Sequence, residues 1–255
     1  MEVRSFSFPR KLGLSTPPIL AALAATLGLF GVGQEVRFYP IALISAIGAL
    51  ILVISVIVAW VSAKSFLQTG YLNLLFLGVA VLEFGTMSIL GGLVSSVNTS
   101  AGGLLYLIGL IMAGGLHLVS AGLTYYGSPR RKSSLSFRVG TAYAATILVS
   151  IALAVWALES NITGTPLPAN PALASTALLF LAAAFLFSRV YLRSHSPTLF
   201  WYSLALATTA FAFVTLLFSR NAGDLVSWTG IGGVLLGSAY FLISLVATPK
   251  TLASN

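Results

Sequence analysis

Apolar residues in this chain do not alternate with polar ones at the helical or the strand period. They arrive in unbroken runs of about twenty residues, separated by charges and turn residues. Eight runs qualify: Pro17–Gly33, Tyr39–Ala63, Tyr71–Val94, Gly102–Tyr126, Val139–Leu158, Pro171–Leu192, Thr198–Phe218 and Leu225–Ala247. At 1.5 Å per residue such runs match a hydrocarbon core of about 30 Å. Apolarity on all faces predicts helices rather than barrel strands, because in lipid each lone segment must satisfy its own backbone hydrogen bonds. The predicted fold is all-α, a polytopic transmembrane bundle of eight spans forming one integral membrane domain over residues 1–255. The longest stretch outside the spans, Met1–Thr16, is too short to bury a core, so no attached soluble catalytic module is expected.

The first span is the shortest. It opens at Pro17-Pro18, where proline suits the first turn of a helix, and follows basic residues, as a signal-peptide core would. No small-x-small cleavage site follows Phe30-Gly31-Val32-Gly33, and the chain starts at Met1, so a retained span is expected. Without it the bundle has seven spans.

Composition agrees with the pattern: 58% of the residues are hydrophobic and 7% charged, against roughly a quarter charged in soluble domains, and the mean hydropathy is +1.00. The net charge of +8 would suggest nucleic acid in a soluble protein. Here its placement gives orientation instead. With a cytoplasmic amino terminus, eleven of the 13 Lys and Arg residues fall inside: Arg4, Arg10, Lys11, Lys64, Arg130, Arg131, Lys132, Arg138, Arg189, Arg193 and Lys250. Arg37 and Arg220 fall outside. This is the distribution of a cell-membrane protein with both termini cytoplasmic, and it implies no nucleic-acid partner. The sequons at Asn98 and Asn161 land outside.

Several chemistries lack their residues. There is no cysteine, hence no disulfide, thiolate site or iron–sulfur cluster. Lys11, Lys64, Lys132 and Lys250 all lie at or beyond span ends, so no lysine can hold retinal within the bilayer. One of the two histidines, His195, sits in a loop, so paired axial histidines for haem are not expected. Nor can one intramembrane His and one Glu supply a zinc or copper site. Ser238 lacks a Gly-x-Ser-x-Gly frame. No cofactor, no metal and no enzymatic activity are expected.

What remains is small. Glu83 lies near the middle of the third span, where an acid costs several kcal/mol unless it is protonated or partnered. His117 lies in the fourth span, roughly 6 Å from Glu83 in depth. Consecutive antiparallel helices pack together, so a Glu83–His117 pair is feasible, either as a proton-sensitive or ligand-binding site or as a glutamate bonded to a neighbouring hydroxyl for packing. Tyr240, deep in the eighth span, needs a partner for its hydroxyl, with Thr208 and Thr209 as candidates. Trp201 and Trp228 are expected in aromatic belts at opposite faces. Arg189 should snorkel to the headgroups, His195 should be solvated, and Asn73 should bond a helix end. An offset of 123 residues superposes Ile108-Gly109 on Ile231-Gly232, Gly114 on Gly237 and His117 on Tyr240. It would make two parallel four-helix halves, although glycine needed for close helix packing accounts for the match as well. Ala21/Ala25, Ala24/Gly28, Gly109/Ala113 and Gly233/Gly237 have the small-xxx-small spacing of tightly packed helices or a subunit interface.

The stretch Phe38-Tyr39-Pro40-Ile41-Ala42-Leu43-Ile44-Ser45, then Val58-Ala59-Trp60, then Tyr71-Leu72-Asn73-Leu74-Leu75-Phe76-Leu77-Gly78-Val79-Ala80, resembles the membrane-embedded multi-helix sensor domains of bacterial and archaeal histidine kinases and cyclases. The resemblance covers the second and third spans and the multi-helix plan. It implies a sensing role. The histidines and glutamate of that family are not matched, since the comparable positions carry Tyr39, apolar residues and the region of Met87. With eight residues after Ala247, no output domain is expected. The resulting expectation is a non-enzymatic, sensor-like or accessory membrane subunit that binds a small apolar ligand, a lipid, a membrane partner or a second copy of itself. The alternative is a small transporter or proton-coupled permease that uses Glu83.

Overall fold

In the computed structural model, residues 7–30, 41–131, 134–160, 169–219 and 223–247 are described. They form eight helices: α1 (Ser7–Phe30), α2 (Ile41–Thr69), α3 (Leu72–Val97), α4 (Thr99–Tyr126), α5 (Leu135–Glu159), α6 (Ala169–Ser194), α7 (Pro197–Leu217) and α8 (Leu225–Val246). The fold is the predicted all-α membrane bundle. Seven helices, α2 to α8, are long and apolar enough to cross a membrane, while in α1 the apolar part is the shorter Gly13–Leu23.

Helix ends depart from the predicted spans because helices run on into the headgroup region until a cap stops them. α2 continues past Ala63 to Thr69, where Gly70 takes φ +74°, a conformation that penalises any Cβ. α3 and α4 are separated by Asn98 alone, whose side chain accepts the Ala101 N–H at 3.1 Å, as an N-cap does. α1 departs most: it starts at Ser7, so Pro17 and Pro18 lie inside the helix rather than at its first turn. Having no N–H, they leave two carbonyls of the preceding turn without intrahelical partners. Arg4, Arg37, Lys132, Arg220, Lys250 and the Asn161 sequon lie outside the described residues.

Six helices close a ring in the order α2, α3, α4, α6, α7, α8, with α8 packing back on α2. The other two lie outside it: α5 packs on α3, with lesser contact to α4 and α2, and α1 packs on α7 and α8. Halves α1–α4 and α5–α8 therefore repeat one plan, each lending its first helix to the other half's third and fourth. The third and fourth helices begin at similar intervals, since Leu72 to Pro197 is a step of 125 residues and Thr99 to Leu225 a step of 126. The third helix of each half, α3 and α7, is the most enclosed.

Small residues make the seams. A Cβ at Gly48 of α2 would lie 2.8 Å from the Ser88 carbonyl oxygen, and one at Gly102 of α4 would meet the Gly91 oxygen at 2.6 Å and the Ser95 backbone. Gly237 of α8 likewise sits against Thr209 of α7. Van der Waals contact through such positions substitutes for the hydrophobic drive that lipid removes.

The connections α2–α3 and α4–α5 are tied together on one face. Arg131 N–H donates to the Gly70 carbonyl at 2.9 Å, and Arg130 Nε donates to the Thr69 carbonyl at 2.9 Å. The α6–α7 end joins them through Arg193, whose guanidinium lies 4.9 Å from the Tyr125 ring centroid. Lys64, Arg130, Arg131, Arg138, Arg189 and Arg193 thus share one face, while Glu159 and Asp224 close the opposite ends of α5 and α8.

Candidate functional site

Glu83 is 1% exposed in the middle of α3 and faces the outer helix α5 rather than the ring centre. Its Oε2 accepts the Ser150 hydroxyl at 3.0 Å. That hydroxyl also reaches the Thr146 carbonyl at 2.8 Å, so its single hydrogen is shared between two acceptors. Oε1 has no partner among the described residues. The acid is therefore only half satisfied. Leaving a polar atom buried and unpaired costs about 1–3 kcal/mol.

His117 occupies the other interior position, fully buried on the face of α4 that looks into the ring. Phe180 meets its ring edge-on at a centroid distance of 5.2 Å, and Phe241 stacks on it at 5.7 Å with planes 6° apart. Phe84, Phe187 and Phe213 fill the space around this group. Nδ1 lies 3.0 Å from the Tyr202 hydroxyl of α7, while Nε2 has no partner among the described residues.

Donor and acceptor strengths orient that bond. If the imidazole donated through Nδ1, both the Tyr202 hydrogen and the Nε2 lone pair would be buried unpaired. If Tyr202 donates, the ring proton sits on Nε2, and Nε2–H and the phenol oxygen's lone pairs are left over. Each arrangement strands one donor and one acceptor, but the second pairs the stronger donor, the phenol, with the stronger acceptor, the imidazole nitrogen, and is the one favoured here. Nε2–H is then a fully buried donor waiting for an acceptor.

Tyr240 is held elsewhere. Its hydroxyl lies 2.7 Å from Thr16 Oγ1 of α1, and its ring packs 5.6 Å from Trp201. The three candidate residues thus belong to three different contacts: Glu83 with α5, His117 with α7 and Tyr240 with α1. The direct Glu83–His117 pair is not made. α3 and α4 do pack, but the two side chains leave their helices toward different neighbours.

Other expectations divide. Thr208 and Thr209 do not bond Tyr240, and both hydroxyl oxygens are buried without a partner among the described residues. Trp201 is 4% exposed rather than part of an interfacial belt, because α1 covers it at Gly13. Asn73 does bond helix ends: its N–H donates to Ser128 Oγ at 2.9 Å, Nδ2 donates to Thr124 at 3.0 Å, and its carbonyl accepts Ser120 Oγ at 2.8 Å. Arg189 is exposed over the Phe185 ring, as expected of a snorkelling side chain, and His195 is exposed in the α6–α7 connection.

Sequence reasoning missed Ser150 and Tyr202. Ser150 is one hydroxyl in Ile147-Leu148-Val149-Ser150-Ile151 and carries no signal of its own, since serine commonly bonds its own helix. Tyr202 had a signal, standing in Phe200-Trp201-Tyr202 one helical position from Trp201 and hence on a different face. Among the described residues no three His, Asp or Glu side chains come together as metal ligands. Compared with protein families, with curated proteins and with solved structures, the chain matches none.

Proposed function

We propose that this integral membrane protein is a non-enzymatic, sensor-like or accessory subunit of the cell membrane whose interior binds a small apolar ligand or lipid, with both termini in the cytoplasm. The observation that carries the reading is His117. Its imidazole is buried at the centre of a ring of six helices, fixed through Nδ1 by Tyr202, walled by aromatic rings and left with Nε2 unpartnered. A site of that kind is largely apolar with one oriented polar group, the usual composition of a small-molecule site. The single basic face fits the cytoplasmic side of a bilayer, where a membrane partner or a second copy would also meet the subunit. Purification from native membranes into nanodiscs, followed by native mass spectrometry, tests the reading. A retained small molecule, lipid or partner subunit is expected, and a strictly monomeric, ligand-free particle refutes it.

A second reading, a small proton-coupled permease, is favoured by the unpartnered Oε1 of Glu83, since half-satisfied intramembrane acids mark proton and ion paths. Proton or solute flux into vesicles, compared between the parent and Glu83→Gln, decides it. Absence of flux in the parent, or flux unaltered by the substitution, removes this reading.

A further inference from the structure

Buried positions on the last two helices of each half correspond. On α4 and α8, Gly109 and Gly233, Ala113 and Gly237, and Ser120 and Ser244 are all buried, and each pair is 124 residues apart. On α3 and α7 a step of 125 pairs buried Ala80 with Ala205 and buried Val81 with Leu206. The α4–α8 register is one residue away from the 123 that aligns the Ile-Gly pairs, so the counterpart of His117 is Phe241 and not Tyr240.

That correspondence has a geometric signature. His117 and Phe241 stack against each other with their planes only 6° apart. Two copies of one position, related by a twofold rotation, can touch only where the rotation axis passes between them. The axis therefore runs through this stacked pair. It lies along the bilayer normal, because each half contains an even number of helices and both halves enter the membrane from the same side.

The same register gives Leu77 as the counterpart of Tyr202. The His117–Tyr202 pair, which joins the two halves, thus has Phe241 and Leu77 as its twofold-related positions. At those related positions apolar side chains alone fill the space, so the imidazole and the phenol are not there for shape.

Resting on the interior-site reading above, we propose that the chain is a parallel tandem duplication of a four-helix unit and that His117 is a binding group carried by one half only at the pseudo-twofold axis, where Nε2–H donates a hydrogen bond to a carbonyl-type oxygen of an apolar ligand. Tyr202 is a positioning residue that holds the proton on Nε2. The duplication explains why the site lies at the junction of the halves: α4 supplies the imidazole, and α6, α7 and α8 supply Phe180, Tyr202 and Phe241.

The test uses two probes of nearly equal size, 1-tetralone, which carries a ketone, and tetralin, which does not. Retention is measured by equilibrium dialysis against phosphatidylcholine nanodiscs containing the full chain, with empty nanodiscs subtracted. The chain has no cysteine, so thiol addition cannot mimic binding. The parent should hold 1-tetralone about ten-fold more tightly than tetralin, the worth of one buried hydrogen bond. The double variant His117→Phe with Tyr202→Phe should fold, with a midpoint within about 3 °C of the parent, and should hold both probes equally. Equal retention by the parent overturns the donor role of Nε2 and leaves an interior site standing. Retention of neither probe overturns the interior-site reading and the inference with it. A double variant that does not fold overturns the claim that the imidazole is surplus to packing.

Discussion

Replacing Ser150 by Ala removes the hydrogen-bond partner the structure gives Glu83. Both residues are buried, at 0% and 1% exposure, so water cannot take the place of the lost hydroxyl. Oε1 already lacks a partner, and the variant strands Oε2 as well. A buried polar group left unsatisfied costs about 1–3 kcal/mol, whereas the Ser→Ala change itself favours the helix by a few tenths of a kcal/mol. At about 2–4 °C per kcal/mol for a chain of this size, thermal unfolding in nanodiscs should shift down by about 2–10 °C. Glu83→Leu should behave in the opposite sense. It removes the carboxyl and its unmet needs together, and exchanging a poorly paired buried polar group for an apolar one is commonly neutral or stabilising. The double variant should then match Glu83→Leu alone, giving a coupling energy of about 1–3 kcal/mol in a double-mutant cycle. Circular dichroism melts of the four proteins check this. If Ser150→Ala melts with the parent, or if Glu83→Leu loses as much as Ser150→Ala, the carboxyl is satisfied by something other than Ser150 and the reasoning fails.

Three further predictions address the fold. Gly102→Ala puts a methyl group against the backbone of Ser95 and Gly91, whereas a Cβ on neighbouring Gly103 meets nothing within 4 Å; the first should cost about 2 kcal/mol or more and the second should stabilise by about 1 kcal/mol, read as opposite shifts in melting. Gly70→Ala combines a positive φ with a clash against the Arg131 carbonyl, so it should cost about 1–2 kcal/mol and speed hydrogen exchange at the Arg131 amide. Asp224 accepts the Ser227 N–H at 2.7 Å as the cap of α8, and Asp224→Ala should lower stability by about 1 kcal/mol, again read from the melting midpoint.

The existence of the helices was legible because lipid leaves the chain no alternative: a run of about twenty apolar residues must satisfy its own backbone. Their inward faces were not. In water a buried face announces itself by contrast with a polar one, but here the outward face meets hydrocarbon and is equally apolar. Trp60 is 71% exposed and Trp201 is 4% exposed, although both are tryptophans near the end of a predicted span. For the same reason Glu83 could be recognised as the costly residue while its partner could not. The choice between α4 and α5 depends on which way the side chain leaves α3, and nothing in Val81-Leu82-Glu83-Phe84-Gly85 specifies that direction. What contrast remains inside lipid is steric. The glycines at helix seams mark contacts, and that signal did survive in the pairing of Gly109 with Met87 and of Gly237 with Thr209.

The repeat was almost invisible in the sequence for a related physical reason. Once two fused halves share one bilayer, any apolar residue of suitable volume serves at most buried positions, so identity drifts freely while packing is kept. The positions held alike are those where a neighbouring backbone comes too close for a side chain, or where a helix end needs a cap, as Asn98 and Asp224 provide for α4 and α8. Against that background a polar residue found in one half only is informative. His117 faces Phe241, Tyr202 corresponds to Leu77, and the step of 125 sets Glu83 against Thr208. His117 and Tyr202 carry a desolvation cost that their apolar counterparts avoid, whereas Thr208, like Glu83, is buried with an oxygen that has no partner among the described residues. His117 and Tyr202, polar where the related positions are apolar, thus place the proposed site on α4 and α7 and leave to α8 the part of a scaffold against which His117 is held.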